Sequence, residues 1–318
     1  MKLEDHVSRW LTRNHRPSKT IESGGGRVPQ DLVQSSGPDR KLVSFPCGDV
    51  VLRGEQWAGL RPGREVLFLH GAGQTRHSWS KAAEEMACSG WTSTTVDLRG
   101  HGESDWSQDA DYRLNAYASD VQSVVSRLGS RPVLVGASLG GLSALTAQAS
   151  DPDLARALVL VDIVPRVSAA GFHRIRDFMT AHLHGFNSLQ EAANAVSGYT
   201  GRKRRLNLAG LQRNVRLRED GRWYWHWDPR ILPGEDMDSE STKLVEHLLS
   251  VARTVTIPVL IVRGEHSDVV TDEGVQELDH LLTNSSVVEV SGAGHMVTGQ
   301  DNDVFTAAIL EFIARLST

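Results

Sequence analysis

Six short apolar runs, with segments of helical character between most of them, constrain this chain more than any other feature: VLFL (66–69), TSTTVDL (92–98), PVLVG (132–136), ALVLVD (157–162), PVLIVRG (258–264) and VVEV (287–290). Nearly unbroken apolar runs of this length suit strands buried on both faces, as parallel strands are when helices cover each side of the sheet. The intervening SWSKAAEEMACSG (78–90), YASDVQSVVSRLG (117–129) and GGLSALTAQAS (140–150) have the length and spacing of crossover helices. The alternation predicts an α/β fold on a mostly parallel, doubly wound sheet. Ahead of it, LVSFP, the turn signal Gly48-Asp49 and VVLRGEQWA read as an opening hairpin.

One interval breaks the alternation, because almost a hundred residues separate Asp162 from Pro258. Helix-like FHRIRDFMTAHL (172–183) and SLQEAANAVSGY (188–199) fall there, the second opening with Ser188 and Glu191 at capping-box spacing, and the aromatic WYWHWDP (223–229) follows. We expect a helical cap over 166–240, a core over 41–165 and 241–318, and an N-terminal extension over 1–40. The extension is polar and carries Gly24-Gly25-Gly26, Pro29 and Ser35-Ser36-Gly37-Pro38, which break regular structure.

A chain of 318 residues can bury a sizeable core, and 40% hydrophobic with 23% charged residues is ordinary globular composition. The net charge of −5 gives no electrostatic reason to bind nucleic acid. Only Cys47 and Cys88 occur, without C-x-x-C or zinc-finger spacing, so neither a disulfide framework nor a structural zinc is indicated. With no signal-peptide core and no apolar run long enough for a bilayer, the expected setting is cytoplasmic, without membrane partners. The sequence is compatible with a homodimer but does not specify an oligomeric state.

Gly136-Ala137-Ser138-Leu139-Gly140 is G-x-S-x-G standing between an apolar run and a helix-like run. A strand turning sharply into a helix presents the middle residue at its tip, and the helix N-terminus favours charge developing on a carbonyl oxygen there. Without that context the string would be a glycine-rich packing turn. A serine hydroxyl is a weak nucleophile until a base takes its proton. His295, in SGAGHMV after the last apolar run, is the candidate; His70, His101 and His266 compete, and chain order favours His295. The acid that orients the imidazole is expected between serine and histidine in the chain. Asp268, in GEHSD, is preferred on position; Asp162 is the main rival and Glu265 a weaker one. Leu139 and, in His70-Gly71-Ala72-Gly73, Ala72 are the expected oxyanion donors, and that loop holds no phosphate-cradling motif. DLRGHGES (97–104) reads as an Asp–Arg pair and a tight turn, and Arg202-Lys203-Arg204-Arg205 as a solvated helix face rather than a localisation signal. His70, Gly71, Phe178, Met179, Trp227 and Met296 are the expected substrate contacts, although the aromatic residues of the cap also suit a local core.

Taken together, LHGAGQTRHSW, DLRGHGESDW, VGASLGG, RGEHSD and GAGHM resemble the α/β-hydrolase superfamily, in particular its esterase and cofactor-free haloperoxidase-like branch with a helical cap. The resemblance runs from about residue 41 to the C-terminus and implies Ser138, Asp268 and His295 as a triad, Ala72 and Leu139 as the oxyanion hole, and no metal or organic cofactor. It implies a serine hydrolase acting on a small-molecule carboxylic ester; lactone or carbon–carbon hydrolysis and peroxyacid formation would use the same residues. A hydrolase-like protein that only binds its ligand is the alternative of another class. Epoxide hydrolases and haloalkane dehalogenases of similar outline place an aspartate where this chain has Ser138, which argues against both reactions. Arg174, Arg176, Arg213 and Arg216 in the expected cap would suit a substrate with a free carboxylate.

Overall fold

In the computed structural model the structure describes residues 37–200, 208–232, 237–295 and 302–316, all within the unit Gly37–Thr318. Strands β1 (Arg40–Cys47) and β2 (Val50–Trp57) pair antiparallel with Cys47 opposite Val50, so Gly48 and Asp49 form a two-residue turn. Gly48 takes φ 60°, the left-handed backbone that such turns require. The chain then alternates β3 (Glu65–Leu69), α1 (Ser80–Cys88), β4 (Thr92–Val96), α2 (Leu114–Val125), β5 (Val133–Ala137), α3 (Leu139–Ser150) and β6 (Ala157–Val161).

An insertion follows, with α4 (Ala169–Thr180), α5 (Leu189–Thr200), the short α6 (Leu208–Leu211) and the hairpin β7 (Val215–Leu217) and β8 (Trp223–Trp225). Ser188 Oγ accepts the Glu191 N–H at 3.2 Å, while the Glu191 carboxylate reaches one residue further back than a capping box requires, to the Asn187 N–H at 2.7 Å. The chain returns through α7 (Met237–Ala252), β9 (Val259–Gly264), α8 (Asp272–Leu281), β10 (Ser285–Val290) and α9 (Thr306–Arg315).

The main sheet runs β1-β2-β4-β3-β5-β6-β9-β10, antiparallel at β1/β2 and β2/β4 and parallel elsewhere. Side chains alternate between faces. Leu67, Leu69, Leu134, Leu158, Leu160 and Ile261 join one core with Tyr117 and Val121 of α2, Leu145 of α3, Ala252 of α7 and Leu278 of α8. Val66, Phe68, Val135, Val159 and Val262 join the other with Met86 of α1 and Ile309 and Ile313 of α9. The order of the strands reverses between β3 and β5, and in open α/β sheets ligands bind beyond the carboxyl ends of the strands at such a switch point. The residues after Leu69 and Ala137 stand on either side of it. Among the described residues, no helix is long and apolar enough to cross a membrane.

Candidate functional site

Ser138 occupies the tip between β5 and α3 with φ 46° and ψ −118°, a backbone that residues with a Cβ rarely adopt. The elbow is fixed by close approach. A Cβ on Gly136 would come within 2.5 Å of the Gly140 backbone, and one on Gly140 within 2.5 Å of the Leu69 carbonyl oxygen. Both outer glycines of G-x-S-x-G are therefore required by packing. The Ser138 N–H donates to the Val161 carbonyl at 3.0 Å, which ties the elbow to the end of β6. The first N–H groups of α3, Leu139 among them, have no acceptor within the helix.

The next residue after Val161 is Asp162, itself at φ 53°. Its Oδ2 lies 2.6 Å from His295 Nδ1, and both side chains are only 4% exposed. The same carboxylate accepts the Ser267 hydroxyl at 2.8 Å and the Gly264 N–H at 3.3 Å. With the Nδ1 proton directed at Asp162, Nε2 is the nitrogen left to accept a proton. The loop that carries the imidazole is held by two short bonds: Gly292 N–H to Glu265 Oε2 at 2.8 Å, and His266 N–H to the Ala293 carbonyl at 2.7 Å. Glu265 and His266 thus brace the His295 loop.

The expectation for Asp268 needs correction. Asp268 lies four residues beyond β9, one strand further from Ser138 than Asp162, and its Oδ2 pairs with Arg174 Nη2 at 2.7 Å at a partly exposed position. Its loop packs under α4, where a Cβ on Gly171 would meet the Asp268 carbonyl oxygen at 2.4 Å. The carboxylate bonded to His295 is the one following β6.

Gly71 sits against the nucleophile candidate: a Cβ on it would be 3.3 Å from Ser138 Cβ. Along this loop the Gly71 N–H donates to Gln74 Oε1 at 2.9 Å and the Gly73 N–H to His101 Nε2 at 3.2 Å. The intervening Ala72 N–H has no hydrogen-bond partner among the described residues. A loop braced on both sides of one free amide is what an oxyanion donor needs.

Comparisons with known proteins bear on the family and on the class of reaction. Residues 65–300 match the family described as alpha/beta hydrolase fold. The chain belongs to the α/β-hydrolase fold family. The esterase Rv0045c of Mycobacterium tuberculosis is 30% identical over 76% of this chain and 79% of its own length. The 2-(acetamidomethylene)succinate hydrolase of Mesorhizobium japonicum is 31% identical over 78% of this chain and 87% of its own. A crystal structure of E-2-(acetamidomethylene)succinate hydrolase superposes with a TM-score of 0.73 at 25% identity, covering 87% of this chain and 100% of that one. The relatives are esterases and hydrolases, and hydrolysis is the reaction class they support for this chain.

In this α/β-hydrolase three buried histidines lock the loops around the switch point. His70, His101 and His226 follow one another with ring centroids 5.1 and 5.9 Å apart. Each accepts one backbone N–H: Leu98 to His70 Nε2 at 2.9 Å, Gly73 to His101 Nε2 at 3.2 Å, Gly102 to His226 Nδ1 at 2.7 Å. The other nitrogens then carry the proton, toward the carbonyls of Gly71, Arg99 and Gly73. Every ring is neutral in one tautomer. Burial is the main cause that pushes His70 down to about 4 and His101 down to about 3, and burial together with His101 puts His226 well below the ordinary histidine range. His226 belongs to the insertion and reaches the same Gly73 that His101 holds. Nothing in the WYWHWDP string marks it in the sequence.

The remaining expected contacts divide. His70 is fully buried with both nitrogens bonded, so it holds the loop and does not face a ligand. Phe178, Met179 and Trp227 are buried in the core of the insertion, with Trp227 stacked on Trp225 at 4.8 Å and Phe178 against Tyr199 at 4.5 Å. Ala72 packs at the edge of that cluster, which brings the insertion against the loop after β3. Met296 and Arg202–Arg205 lie outside the described residues. In DLRGHGES the acid and the base do not pair with each other: Asp97 pairs with Arg76, and Arg99 makes two bonds to Asp120 at 2.6 and 2.7 Å. Among the described residues, no group of three or more His, Cys, Asp or Glu side chains is placed to hold a metal.

Proposed function

We propose that this α/β-hydrolase is a serine esterase working through an acyl-enzyme, with Ser138 as nucleophile, His295 as general base and Asp162 as the acid that orients it. The 2.6 Å bond between Asp162 and His295 carries this reading, because it joins the imidazole to the residue next to the carbonyl that accepts the Ser138 N–H. Ser138 Oγ adds to the ester carbonyl carbon while His295 Nε2 takes its proton. The oxyanion is held by the N–H groups of Ala72 and Leu139. Collapse expels the alcohol, which leaves with the proton from His295. Water, deprotonated by the same nitrogen, then attacks the acyl-enzyme and releases the carboxylic acid. The insertion, whose core packs against Ala72 of the loop after β3, acts as a cap.

Hydrolysis of a panel of p-nitrophenyl esters, lactones and diketones, together with labelling by a fluorophosphonate, tests the reading. Wild-type protein is expected to turn over esters and to be labelled, and Ser138→Ala to do neither. Labelling or turnover retained in Ser138→Ala would overturn it. The relative named for 2-(acetamidomethylene)succinate brings substrates with free carboxylates into the same panel.

A further inference from the structure

A cavity of about 290 Å³ opens where the insertion meets the loops after β3 and β4. Its cationic side is formed by Arg213 and Arg216 of the insertion, facing Thr75, Arg76 and His77 of the core, with Gln212 beside them. Two carboxylates also line it, Asp97 and Glu103, but both are already engaged by Arg76: Nη1 to Asp97 Oδ2, and Nη2 to Glu103 Oε2 at 2.7 Å. Asp97 further accepts the backbone N–H groups of Arg76 and Glu103, at 2.6 and 3.0 Å. Behind them Glu55 lies 3.5 Å from Arg76 Nε.

Arg213 and Arg216, by contrast, form no ion pair with any described residue. Arg216 is aimed by its own backbone, Nη1 donating to the carbonyls of Arg213 at 3.3 Å and Val215 at 3.1 Å. The arginines of α4 differ: Arg174 is paired with Asp268 and Arg176 with Asp177. Thr75 is buried, and its hydroxyl does not cap the helical turn that follows. A chain of net charge −5 therefore keeps two guanidiniums without a direct ion-pair partner among the described residues, Arg216 acting on Glu103 only at longer range. They stand over a recess where a hydroxyl and an imidazole lie beside the two carboxylates that Arg76 engages. Planar guanidinium forks suit oxyanions in particular.

We propose that this recess binds a small oxyanion, a carboxylate or phosphate group, held by Arg213 and Arg216 from the insertion and by Thr75 and His77 from the core. The ligand would bridge the two parts at a seam that also contains Gly102, whose N–H is bonded to His226. Two sources supply such a group: a free carboxylate on the substrate, or a free anion that latches the insertion onto the core.

His77 reports occupancy. Its imidazole is held below the ordinary range by burial first and then by Arg76, with Arg213 adding to the effect and Glu55 and Asp97 opposing it. An anion among these groups must raise it. The His77 ring resonance, assigned by its absence in His77→Asn, is followed by NMR against pH with inorganic phosphate, with succinate and with chloride at equal ionic strength. Using Ser138→Ala for this arm keeps the result independent of the esterase reading. Phosphate or succinate should raise the midpoint by about half a pH unit or more, saturably, and the rise should vanish in an Arg213→Gln/Arg216→Gln variant of unchanged circular dichroism. A shift no larger than that in chloride, or one retained in the double variant, would overturn the proposal.

Kinetics on the wild-type enzyme separate the sources. If the site takes the substrate's own carboxylate, the double variant raises KM about tenfold for a monoester of a dicarboxylic acid, with kcat and the neutral diester unchanged. If the two esters respond alike while phosphate still moves His77, the ligand is a free anion and the proposal stands in that form.

Discussion

Asp162 and His295, 133 positions apart in the chain, meet through one 2.6 Å bond that stands beside the Ser138 elbow. Both Asp162 and Ser138 hold positive φ at the tips of adjacent parallel strands, 53° and 46°. Backbone held in this region costs on the order of 1–3 kcal/mol per residue and persists only where the surroundings enforce it. Here the enforcement comes from the glycines packed on both sides of Ser138 and from the bonds that surround the Asp162 carboxylate.

That strain is measurable. Ser138→Gly removes the Cβ that disfavours this backbone, so it should abolish activity yet raise the thermal midpoint, by the equivalent of about 1 kcal/mol. A fall in Tm would show that the serine backbone is not strained.

Gly140→Ala should act in the opposite sense. The added methyl would lie 2.5 Å from the Leu69 carbonyl oxygen, a backbone atom that cannot swing away. The helix must shift off β3 and β5, with a loss of about 2 kcal/mol or more in urea melts and of fluorophosphonate labelling. Wild-type stability together with wild-type labelling would contradict the packing described.

Acid weakens the fold through the buried histidines. Above pH 6.5 the rings are neutral in both folded and unfolded chains and cost nothing. As the pH falls below that, the unfolded chain takes up protons that the folded chain refuses until about 4 for His70 and about 3 for His101. Stability is therefore complete above about pH 6.5 and declines on acidification, by roughly 2 kcal/mol per ring at pH 5. Most carboxylates are still ionised at that pH, so the slope belongs chiefly to histidine. Urea midpoints at pH 7.5 and 5.0 check it, and an unchanged midpoint would refute it.

Arg76 compensates buried carboxylates. Arg76→Met leaves the buried Asp97 with backbone N–H partners alone and the nearly buried Glu55 with Arg40 as its remaining arginine, at 3.4 Å, and should cost about 3–5 kcal/mol. A loss below about 1 kcal/mol in denaturant titration would show the cluster to be no more than a surface network.

Much of this was legible in the residues. Apolar runs such as VLFL and ALVLV are buried on both faces and declare themselves without tertiary information. G-x-S-x-G declares the elbow because packing demands both glycines. The acid was not separable, since Asp162 and Asp268 each follow an apolar run and each lies between Ser138 and His295 in the chain. The difference is spatial: β6 neighbours β5 whereas β9 lies one strand further away, and the alternation of runs does not encode strand order. His226 escaped for a related reason. A histidine among tryptophans looks like any aromatic-cluster residue until the hairpin it leaves brings it onto Gly73.

The comparison that tests the central claim most directly is the second-order rate of fluorophosphonate labelling of Ser138 in Asp162→Asn and in Asp268→Asn. The amide at Asp162 should slow labelling by roughly 10³-fold or more, because the imidazole loses the partner that fixes its tautomer. The amide at Asp268 breaks only a partly exposed ion pair with Arg174 and should change the rate by less than about fivefold. The reverse order, or equal losses, would contradict the assignment of Asp162 to His295.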